Sequence, residues 1–364
     1  MRAGVAGAII DGHYVRGDVD VVDGRIASYG LSPRGHGLAL PGLVDLQVNG
    51  YAGVDFLTAS VEEYESALSS LRSHGVFAVQ PTFITASEDD LAEAVRAAAG
   101  AQHRYQSCAI LGVHLEGPFL SPDHRGIHRP EYLRQPDGQL LNRLSSCGPV
   151  RTITVAPELD GALELISNAV ASGLIVQLGH TAATAEQAND GFNRGARSVT
   201  HIFNGMRAFS HRDPGIVGAA LARTDVVIQI IADRVHVAEE AVQLALRAAK
   251  HRVVLVTDAI SAAAAPDGRY TAGGHQVIVQ RGVARLDDGT LAGSTAPLID
   301  QIRNVIDFGW STEAAVNMAS RQPARLHGRS DLGTLRGGGP ADMLIVDDAF
   351  QPVRVLAAGI DVLP

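Results

Sequence analysis

The sequence predicts an α/β fold in which eight parallel strands close into a barrel. The first observation is a series of eight short apolar runs, most of them followed by a helix-like stretch. Strands that alternate with helices form parallel sheets, and eight such units favour a closed, TIM-like (β/α)8 barrel. The second is that each run ends in a polar residue, at the barrel end where active sites lie. The runs are Leu38 to Asn49, Val76 to Thr82, Ala109 to Glu116, Thr152 to Glu158, Leu174 to His180, Ser198 to His201, Val226 to Asp233 and Val253 to Asp258.

Both ends of the chain have a different pattern, which is typical of short strands joined by tight turns. Asp11-Gly12 and Asp23-Gly24 are hairpin signals in the first forty residues. Near the other end, Gly337 to Pro340 precedes the apolar run Asp342 to Val346. We therefore expect the two ends to pair into one small β-sandwich, with residues 1–40 and 335–364 in the sandwich and residues 41–334 in the barrel.

Helices are predicted where apolar residues recur with helical spacing between the runs. Ser87 and Thr312 have the chemistry of helix N-caps. Strand-rich sequence with turn residues between Asp267 and Gly289 predicts a hairpin insertion after the eighth barrel strand. The predicted helices are Ser60–Ser73, Glu88–Ala101, Ala162–Ser172, Ala185–Arg194, Glu239–Lys250 and Ser311–Ser320.

The composition excludes several classes of protein. The chain has 364 residues, 46% of them hydrophobic, which is enough for a large core. A formal charge of −9 argues against nucleic acid or an anionic membrane as the main partner. Cys108 and Cys147 form no CxxC pair, and the sequence has neither a signal peptide nor a membrane-length apolar run. We expect a cytoplasmic protein.

Lysine chemistry is nearly absent from the chain. Of 30 basic residues only Lys250 is a lysine, and it falls in a predicted amphipathic helix where an exposed side chain is expected. A Schiff base, a P-loop lysine and a carbamylated lysine bridging two metals are therefore disfavoured.

Three residues, at the ends of the third, fifth and sixth runs, form a set suited to a metal ion: Glu116, His180 and His201. Two imidazoles and a carboxylate suit zinc or another borderline divalent ion and leave a coordination position for water. Such an ion lowers the pKa of bound water towards neutrality. Taken alone, each histidine has a simpler explanation as a hydrogen-bonded core residue.

Asp258 ends the eighth run and is the candidate general acid/base. A carboxylate there would accept a proton from an attacking water and return it to a leaving amine. The alternative is a helix N-cap or a structural ion pair. His114 lies on the same strand face as Glu116 by period two, and we expect it to pack inside the barrel.

At these residues the chain resembles the N-acetylglucosamine-6-phosphate deacetylases of the amidohydrolase superfamily. The similar segments extend over almost the whole chain in matching order and spacing, which makes the combination specific. This resemblance implies a barrel flanked by a β-sandwich from both termini. The segments are Pro41 to Gly50, His114 to Leu120, Leu178 to Thr181, Thr200 to Met206, Ala232 to Val237, Val256 to Ala259 and Leu291 to Ser294.

The resemblance also implies residue roles. Glu116, His180 and His201 correspond to the ligands of a single metal, and Asp258 to the general acid/base. Many amidohydrolases bind a second metal through His-x-His after the first strand, but this chain has Gln47-Val48-Asn49. Because amides are poor zinc ligands, we expect one divalent ion per chain, zinc first, with iron or another ion as alternatives.

Further positions match residues that contact the substrate in this family. Asn204 and Gly205 resemble a pair whose amide groups meet the phosphate, and Arg212 resembles an arginine offered to the phosphate across a dimer interface. His128 resembles the family's sugar-contacting histidine on the loop over the site, and the resemblance also implies a role in polarising the acetyl carbonyl. The resemblance thus predicts a homodimer. The implied substrate-binding residues are Ile127, His128, Asn204, Gly205, Arg212, His236, Leu291, Ala292 and Gly293.

The expected activity is hydrolysis of N-acetylglucosamine 6-phosphate to glucosamine 6-phosphate and acetate, in amino-sugar catabolism and cell-wall sugar recycling. The same reaction on the galacto epimer stays open, because loop geometry decides the recognition of one hydroxyl. A cyclic-amide hydrolase is disfavoured by the missing His-x-His and lysine. A non-catalytic sugar-phosphate-binding protein is the alternative from another class, although all four proposed metal and acid/base residues are present.

Overall fold

Eight parallel strands surround the centre of the molecule, and a second sheet contains strands from both ends of the chain. The structure is a computed structural model that describes residues 1–362. In chain order the strands are β1 (Gly7–Ile10), β2 (His13–Arg16), β3 (Asp18–Val22), β4 (Arg25–Leu31), β5 (Leu38–Pro41), β6 (Leu43–Val48), β7 (Gly50–Tyr51), β8 (Val54–Asp55), β9 (Val76–Ile84), β10 (Ala109–Ile110), β11 (Val113–Glu116), β12 (Val150–Val155), β13 (Ile175–Leu178), β14 (Ser198–Val199), β15 (Val227–Ile230), β16 (Val253–Leu255), β17 (Gly268–Ala272), β18 (His275–Gln280), β19 (Val283–Arg285), β20 (Met343–Val346), β21 (Pro352–Ala357) and β22 (Ile360–Asp361).

Ten α-helices lie within the described residues, and most connect one barrel strand to the next. They are α1 (Glu63–Ser73), α2 (Glu88–Arg104), α3 (Gly138–Ser146), α4 (Ala162–Ala171), α5 (Ala185–Asn193), α6 (Gly215–Ala222), α7 (Glu239–Ala249), α8 (Leu298–Asp307), α9 (Thr312–Met318) and α10 (Arg321–Leu326). Between residues 1 and 362, no helix combines the length and the apolar character needed to cross a membrane.

The central sheet confirms the predicted barrel. Its strands run in the order β6-β9-β11-β12-β13-β14-β15-β16, each parallel to its neighbour. β10 and β11 are two parts of the third barrel strand, and both pair with β9. The barrel closes where a bridge joins Val48 to Ala259 and the Asp258 N–H donates to the Gln47 carbonyl at 2.9 Å. Parallel closure brings all the carboxyl ends of the strands to one end of the barrel.

The chain termini form a separate six-stranded sheet in the order β2-β1-β5-β20-β21-β22. β20 runs antiparallel to β5, so that Val346 pairs with Leu38 and Met343 pairs with Pro41. The β3–β4 hairpin packs beside this sheet, with Val19 and Ile26 in the same buried apolar cluster as the sheet residues. The expectation that both termini join in one β structure is confirmed.

Four of the ten described helices, α2, α3, α5 and α9, have a side-chain N-cap. Ser87 caps α2 and accepts a hydrogen bond from the Asp90 N–H at 3.1 Å. The cap predicted at Thr312 is wrong by one residue, because Ser311 has the extended backbone of an N-cap and accepts from the Ala314 N–H at 3.2 Å. Sequence analysis missed α3, α6, α8 and α10.

The predicted insertion is a three-stranded antiparallel sheet, β17 to β19, rather than a single hairpin. Its first turn docks against loops at the barrel's carboxyl end. The Gly273 N–H donates to Asp55 at 2.9 Å, and Arg129 donates to the Gly274 carbonyl at 2.6 Å. A Cβ built on Gly273 would lie 1.9 Å from Ile84 Cδ1, so this close approach requires glycine.

The barrel interior changes from apolar to polar along its axis. Val44, Ala78 and Val254 belong to an apolar cluster at the amino ends of the strands. Nearer the carboxyl ends, buried His114 lies between the hydroxyls of Thr82 (3.2 Å) and Thr154 (2.7 Å). This gradient places hydrogen-bonding side chains directly beneath the candidate site, and His114 has the interior position expected for it.

Candidate active site

The candidate metal ligands come together at the carboxyl ends of β11, β13 and β14. Glu116 ends β11, and His180 and His201 follow β13 and β14 by two residues. The Glu116 Oε1 atom is 2.9 Å from His201 Nε2 and 3.3 Å from His180 Nε2. All three side chains are buried, and their ligand atoms lie within 4.8 Å of one another. One small ion would be reached by all three atoms.

The backbone holds both histidines in an uncommon conformation. The φ angles are 47° at His180 and 25° at His201, and Asp258 also has a positive φ of 51°. Non-glycine residues seldom adopt such angles, and those that do concentrate at functional sites. His180 is further fixed by a hydrogen bond of 2.8 Å between Nδ1 and the His124 carbonyl. The carbonyl requires a proton on Nδ1, which leaves Nε2 as the coordinating atom.

The electrostatics of the cluster favour a cation among the three side chains. Burial would raise the pKa of Glu116, but hydrogen bonds from His180 and His201 hold it well below its usual value. Burial disfavours a charged His201, yet its bond to Glu116 raises the pKa of the imidazole overall. A negative carboxylate buried against imidazoles needs a positive partner, which is either a proton or a divalent ion. The donor set therefore fits a borderline divalent metal.

Asp258 lies beside this cluster, held by two amide side chains. Its Oδ1 atom accepts from Gln47 Nε2 at 3.1 Å and from Asn49 Nδ2 at 2.7 Å. Gln47 Nε2 also donates to Glu116 Oε1 at 3.0 Å. Burial, reinforced by the negative charge of Glu116, raises the pKa of the Asp258 carboxyl. Gln47 and Asn49 thus donate N–H groups to the carboxylates of Glu116 and Asp258. A second metal ion at this position would instead need ligand atoms with free lone pairs.

The ring of His128 has a defined tautomer. The backbone N–H of Thr85 donates to Nδ1 at 3.1 Å, so Nδ1 is an acceptor and the proton of the neutral ring is on Nε2. Burial and the neighbouring His180 hold the pKa of His128 well below its usual value, which keeps the ring neutral. Nε2 lies 4.0 Å from Glu116 Oε2, at the metal cluster. His128 therefore offers an N–H donor next to the three ligands.

One cavity of about 240 Å3 connects these groups and is lined by all but one of the candidate metal, acid/base and substrate-binding residues. Residues that sequence reasoning did not place in the pocket are Ile84, Gly126, Ile260 and Thr290, and their only signal was adjacency to matched segments or to a strand end. The full lining is Asn49, Ile84, Glu116, Gly126, Ile127, His128, His180, His201, Asn204, Gly205, His236, Asp258, Ile260, Thr290, Leu291, Ala292 and Gly293.

Arg212 is the one candidate residue outside the cavity. It is exposed on the segment between β14 and α6, where the neighbouring Arg207 and Asp213 form an ion pair at 2.5 Å. None of the described residues that line the cavity is an arginine or a lysine. A single chain therefore offers a phosphate no guanidinium or ammonium group at this site.

One other polar side chain, that of His236, is oriented for a ligand. His236 Nδ1 lies 2.7 Å from Asp233 Oδ2. Burial alone would raise the pKa of Asp233, but the hydrogen bond from His236 lowers it to about 2. Nε2 of His236 is thus available to a ligand. The Asn204 N–H is already bonded to the His201 carbonyl at 3.1 Å. A Cβ on Gly205 would lie 2.7 Å from His180 Nδ1, and this glycine has a φ of 57°.

Known proteins are similar to this chain in sequence and in architecture. The amidohydrolase family matches residues 38–361. The chain is 35% identical over 360 residues to an N-acetylgalactosamine-6-phosphate deacetylase of Escherichia coli O157:H7, covering 96% of this chain and 94% of that protein. It is 37% identical over 339 residues to the human N-acetylglucosamine-6-phosphate deacetylase, covering 88% of this chain and 82% of that protein.

Solved structures agree with these relatives. An N-acetyl-D-glucosamine-6-phosphate deacetylase mutant from Mycobacterium smegmatis, in complex with N-acetyl-D-glucosamine-6-phosphate, superposes with a TM-score of 0.93 at 31% identity, covering 100% of this chain and 99% of that chain. The Thermotoga maritima N-acetylglucosamine-6-phosphate deacetylase gives 0.91 at 32% identity, with coverage of 100% and 99%. The resemblance drawn from the sequence is confirmed: the chain belongs to the amidohydrolase family, in the group that contains these amino-sugar-phosphate deacetylases.

Proposed function

We propose that this enzyme hydrolyses the acetamide of N-acetylglucosamine 6-phosphate, releasing glucosamine 6-phosphate and acetate, in amino-sugar catabolism and cell-wall sugar recycling in the cytoplasm. The observation that carries the proposal is the shared cavity of the metal cluster, the buried acid Asp258 and the N–H donor of His128. Metal-dependent amide hydrolysis uses these three kinds of group around one carbonyl carbon.

The metal would be held by Glu116, His180 and His201, with zinc as the first candidate and one ion per chain. A divalent ion bound there activates water and polarises the acetyl carbonyl. Gln47 and Asn49 support a single ion, because their donated hydrogen bonds occupy Asp258 Oδ1 and an oxygen of Glu116. Two carboxylate oxygens satisfied by N–H groups attract a second cation weakly.

Asp258 is the proposed general acid/base. Two amide donors hold Oδ1, which leaves Oδ2 for the proton of the attacking water. The same carboxyl then returns this proton to the departing nitrogen, so that glucosamine 6-phosphate leaves as an amine rather than as an amide anion. Burial supports both steps, because a carboxyl with a raised pKa is a stronger base when ionised and is readily protonated.

His128 is the proposed stabiliser of the negative charge that develops on the acetyl oxygen. Its Nε2–H is fixed by the bond that Nδ1 accepts from Thr85, so the donor needs no rearrangement as the charge forms. Gly205, Asn204 and His236 line the same cavity and would bind the sugar phosphate. Ile127 and the segment Leu291 to Gly293 would contact the acetyl group and the sugar ring.

Arg212 is proposed to complete the phosphate site of a neighbouring chain in a homodimer. The cavity within one chain has no arginine or lysine among its described lining residues, although its proposed ligand carries a phosphate. Arg212 is exposed nearby on the segment that follows His201. A guanidinium fork is well matched to phosphate oxygens. We therefore propose that a second chain supplies the positively charged side chain that binds the phosphate.

The galacto epimer is the second candidate substrate, favoured by the 35% identity to the E. coli N-acetylgalactosamine-6-phosphate deacetylase. The deciding experiment measures acetate release from both epimeric 6-phosphates by the zinc-loaded protein, with unphosphorylated N-acetylglucosamine as the control. We expect the highest kcat/KM for the gluco epimer. A higher value for the galacto epimer would transfer the assignment to that sugar. No acetate from either phosphate, with metal bound, would contradict a deacetylase and favour a sugar-phosphate-binding protein.

A further inference from the structure

A second concave region lies at the barrel end opposite the active site. It consists of two adjacent cavities of about 460 and 420 Å3, which we call together the basal cleft. The two cavities share His251, Gln322 and Arg325 in their walls and are therefore direct neighbours. The basal cleft is lined by Gly12, His13, Arg197, Asp225, Val227, Lys250, His251, Arg252, Val254, Trp310, Ser311, Glu313, Ala314, Asn317, Met318, Arg321, Gln322, Arg325 and Leu326.

The position of the cleft follows from the strand ends that form it. Arg197 immediately precedes β14, and Arg252 immediately precedes β16, so these residues lie at the amino ends of barrel strands. Helix α10 covers the same end, with Ala324 in the apolar cluster at the barrel base. The candidate metal ligands lie at the carboxyl ends. The basal cleft is therefore a separate site, on the barrel face that usually contributes stability rather than chemistry.

The charge of the cleft is opposite to that of the chain. Five of its lining residues are lysine or arginine and two are acidic, in a protein whose formal charge is −9. Only Asp225 has an ion-pair partner outside the cleft, and Glu313 keeps its negative charge. Asp225 pairs with Arg223 at 2.7 Å, and Glu313 accepts from the Tyr14 N–H.

Asp225 attracts Arg252, but the other basic side chains of the cleft have no ion-pair partner within the described residues. Arg321 donates to the Asp11 carbonyl at 2.8 Å, and Arg252 donates to the carbonyls of Val226 and Leu221. Neutral carbonyls leave the guanidinium charge in place. No ion pair within residues 1–362 involves Lys250, Arg325 or Arg197, while Asp225 has its own partner. Concentrated, unpaired positive charge in a concave region is suited to an anion of high charge density.

The cleft also offers an aromatic surface. Trp310, the only tryptophan of the chain, lines the larger cavity together with Ala314 and Met318. Its indole Nε1 donates to Gln243 at 3.2 Å, which fixes the orientation of the ring. The side chain is half-buried, so part of it stays open to a ligand. Indole surfaces stack well against flat, electron-poor rings such as nucleobases.

We propose that the basal cleft binds a nucleotide, with the base against Trp310 and the phosphates along Lys250, Arg325 and the arginines beneath β14 and β16. Each cavity has the volume of a small-molecule site, and the two together suit a ring joined to a phosphate chain. A nucleic acid is the poorer match, because a strongly acidic protein repels a long polyanion outside the cleft. This proposal does not depend on the proposed deacetylation.

Trp310 makes the first test specific, since no other tryptophan contributes fluorescence. ADP is titrated into the full-length, metal-loaded protein while indole emission is followed. We expect a saturable change with ADP and a weaker apparent affinity for inorganic pyrophosphate, which has no base. The double variant Lys250→Ala/Arg325→Ala should bind ADP about tenfold or more weakly. Arg247→Ala removes an exposed charge outside the cleft and should bind like the wild type.

Lys250 allows a second test that needs no substitution, because it is the only side-chain amine of the chain. Reductive methylation followed by peptide mass analysis should show Lys250 protected by ADP and the α-amino group of Met1 unprotected. No saturable emission change at millimolar ADP, or an equal loss of affinity in Arg247→Ala and the double variant, would overturn the proposal. An emission change with a DNA oligonucleotide but not with ADP would also overturn it.

Discussion

At the scale of single residues, the chemistry of the site depends on how Asp258 is held. Gln47 and Asn49 both donate to Oδ1, and neither contacts Oδ2 by a hydrogen bond. One oxygen is therefore structural and the other is available for proton transfer. An asparagine in place of Asp258 can accept both bonds through its own carbonyl oxygen, so this substitution removes the proton acceptor while retaining the local structure.

We predict that Asp258→Asn lowers kcat by about 10²–10⁴-fold, the usual range for loss of general acid–base catalysis. Substrate binding and metal content should stay close to wild type, because Oδ1 keeps its donors. Steady-state kinetics on N-acetylglucosamine 6-phosphate give kcat and KM, and metal analysis of the same preparation gives the metal content. Near-normal turnover in the variant would place the proton route elsewhere.

We also predict about one tightly bound divalent ion per chain in the active protein, because Gln47 and Asn49 take the positions of the second-site histidines. Chelation should abolish activity, and titration with zinc should restore it with a break near one equivalent. Elemental analysis after each addition gives the stoichiometry. Full activity that requires two equivalents would contradict the single-ion site.

Sequence reasoning reached most of this site, because strand ends converge in a barrel and polar residues mark those ends. Glu116, His180, His201 and Asp258 lie together as expected from that geometry. The sequence does not show the tautomer of His128, because that tautomer depends on the Thr85 N–H. It also does not show that Thr290 lines the cavity. Both depend on how loops fold over the barrel, and loop conformation has no periodic signal. The metal, acid/base and substrate roles stay predictions.

At the scale of elements, the junction between β6 and β16 contains a buried acid. Asp45 accepts from the Thr257 hydroxyl at 2.6 Å and from the Thr257 N–H at 3.2 Å. Burial raises the pKa of Asp45 to about 7, although these hydrogen bonds oppose the rise. The folded protein thus binds a proton here that the unfolded chain releases at a much lower pH. The first and last barrel strands meet at a carboxyl that prefers to be neutral.

This pKa gives a signed prediction for stability. Between the unfolded pKa and about 7, the folded state holds more protons, so the free energy of unfolding falls as pH rises through this window and levels off above it. Asp45→Asn preserves the bonds, with the amide donating to the Thr257 hydroxyl, and should abolish that fall. From about pH 5 to about pH 7 the wild type should lose at most about 3 kcal/mol relative to the variant.

Urea denaturation at several pH values measures this difference. Asp89→Asn is the control, since Asp89 is an exposed acid in the first turn of α2 and should keep the wild-type slope. Parallel pH profiles for the wild type and Asp45→Asn would show that Asp45 is already ionised in the folded protein.

The element pattern was largely predictable because buried parallel strands are continuous apolar runs. All eight barrel strands lie within the predicted runs or extend them by a few residues. α10 was missed because Pro323 lies within it and its six residues show no clear period. The third strand of the insertion, β19, was missed because three residues are too few to show alternation.

At the scale of the whole molecule, the proposed dimer accounts for a cavity without its own arginine or lysine. Arg212 is exposed, and Phe209 on the same segment leaves 49% of its surface exposed. The residue pattern of this segment does not show whether it contacts a second chain. The dimer and the domain boundaries, 1–40 with 335–364 and 41–334, accordingly stay predictions.

We predict that Arg212→Ala stays folded, keeps its metal and loses about 1.5–3 kcal/mol of affinity for the 6-phosphate substrate. Activity on unphosphorylated N-acetylglucosamine should barely change, because that sugar offers the guanidinium nothing to bind. KM measurements on both sugars make the comparison. Equal losses on the two sugars would indicate a structural role, and no loss on either would remove Arg212 from the site.

A mixed dimer then distinguishes donation within a chain from donation across the interface. One chain carries Arg212→Ala and the other Asp258→Asn. Cross-chain donation leaves one site with both groups and the other with neither, so about half of the wild-type activity is expected. Donation within each chain gives two singly defective sites and much less activity.

The antiparallel pairing of β20 with β5 has a consequence for how the chain is made. Residues 38–41 emerge from the ribosome long before residues 343–346, which cover their edge. The barrel likewise cannot close before its eighth strand has been made, because closure requires the bridge between Val48 and Ala259. The terminal sheet cannot close until β20 has been made, so the edge of β5 stays exposed while the barrel is synthesised. Premature termination before residue 343 would leave that edge open permanently, and the expected product is an aggregate rather than a smaller folded protein.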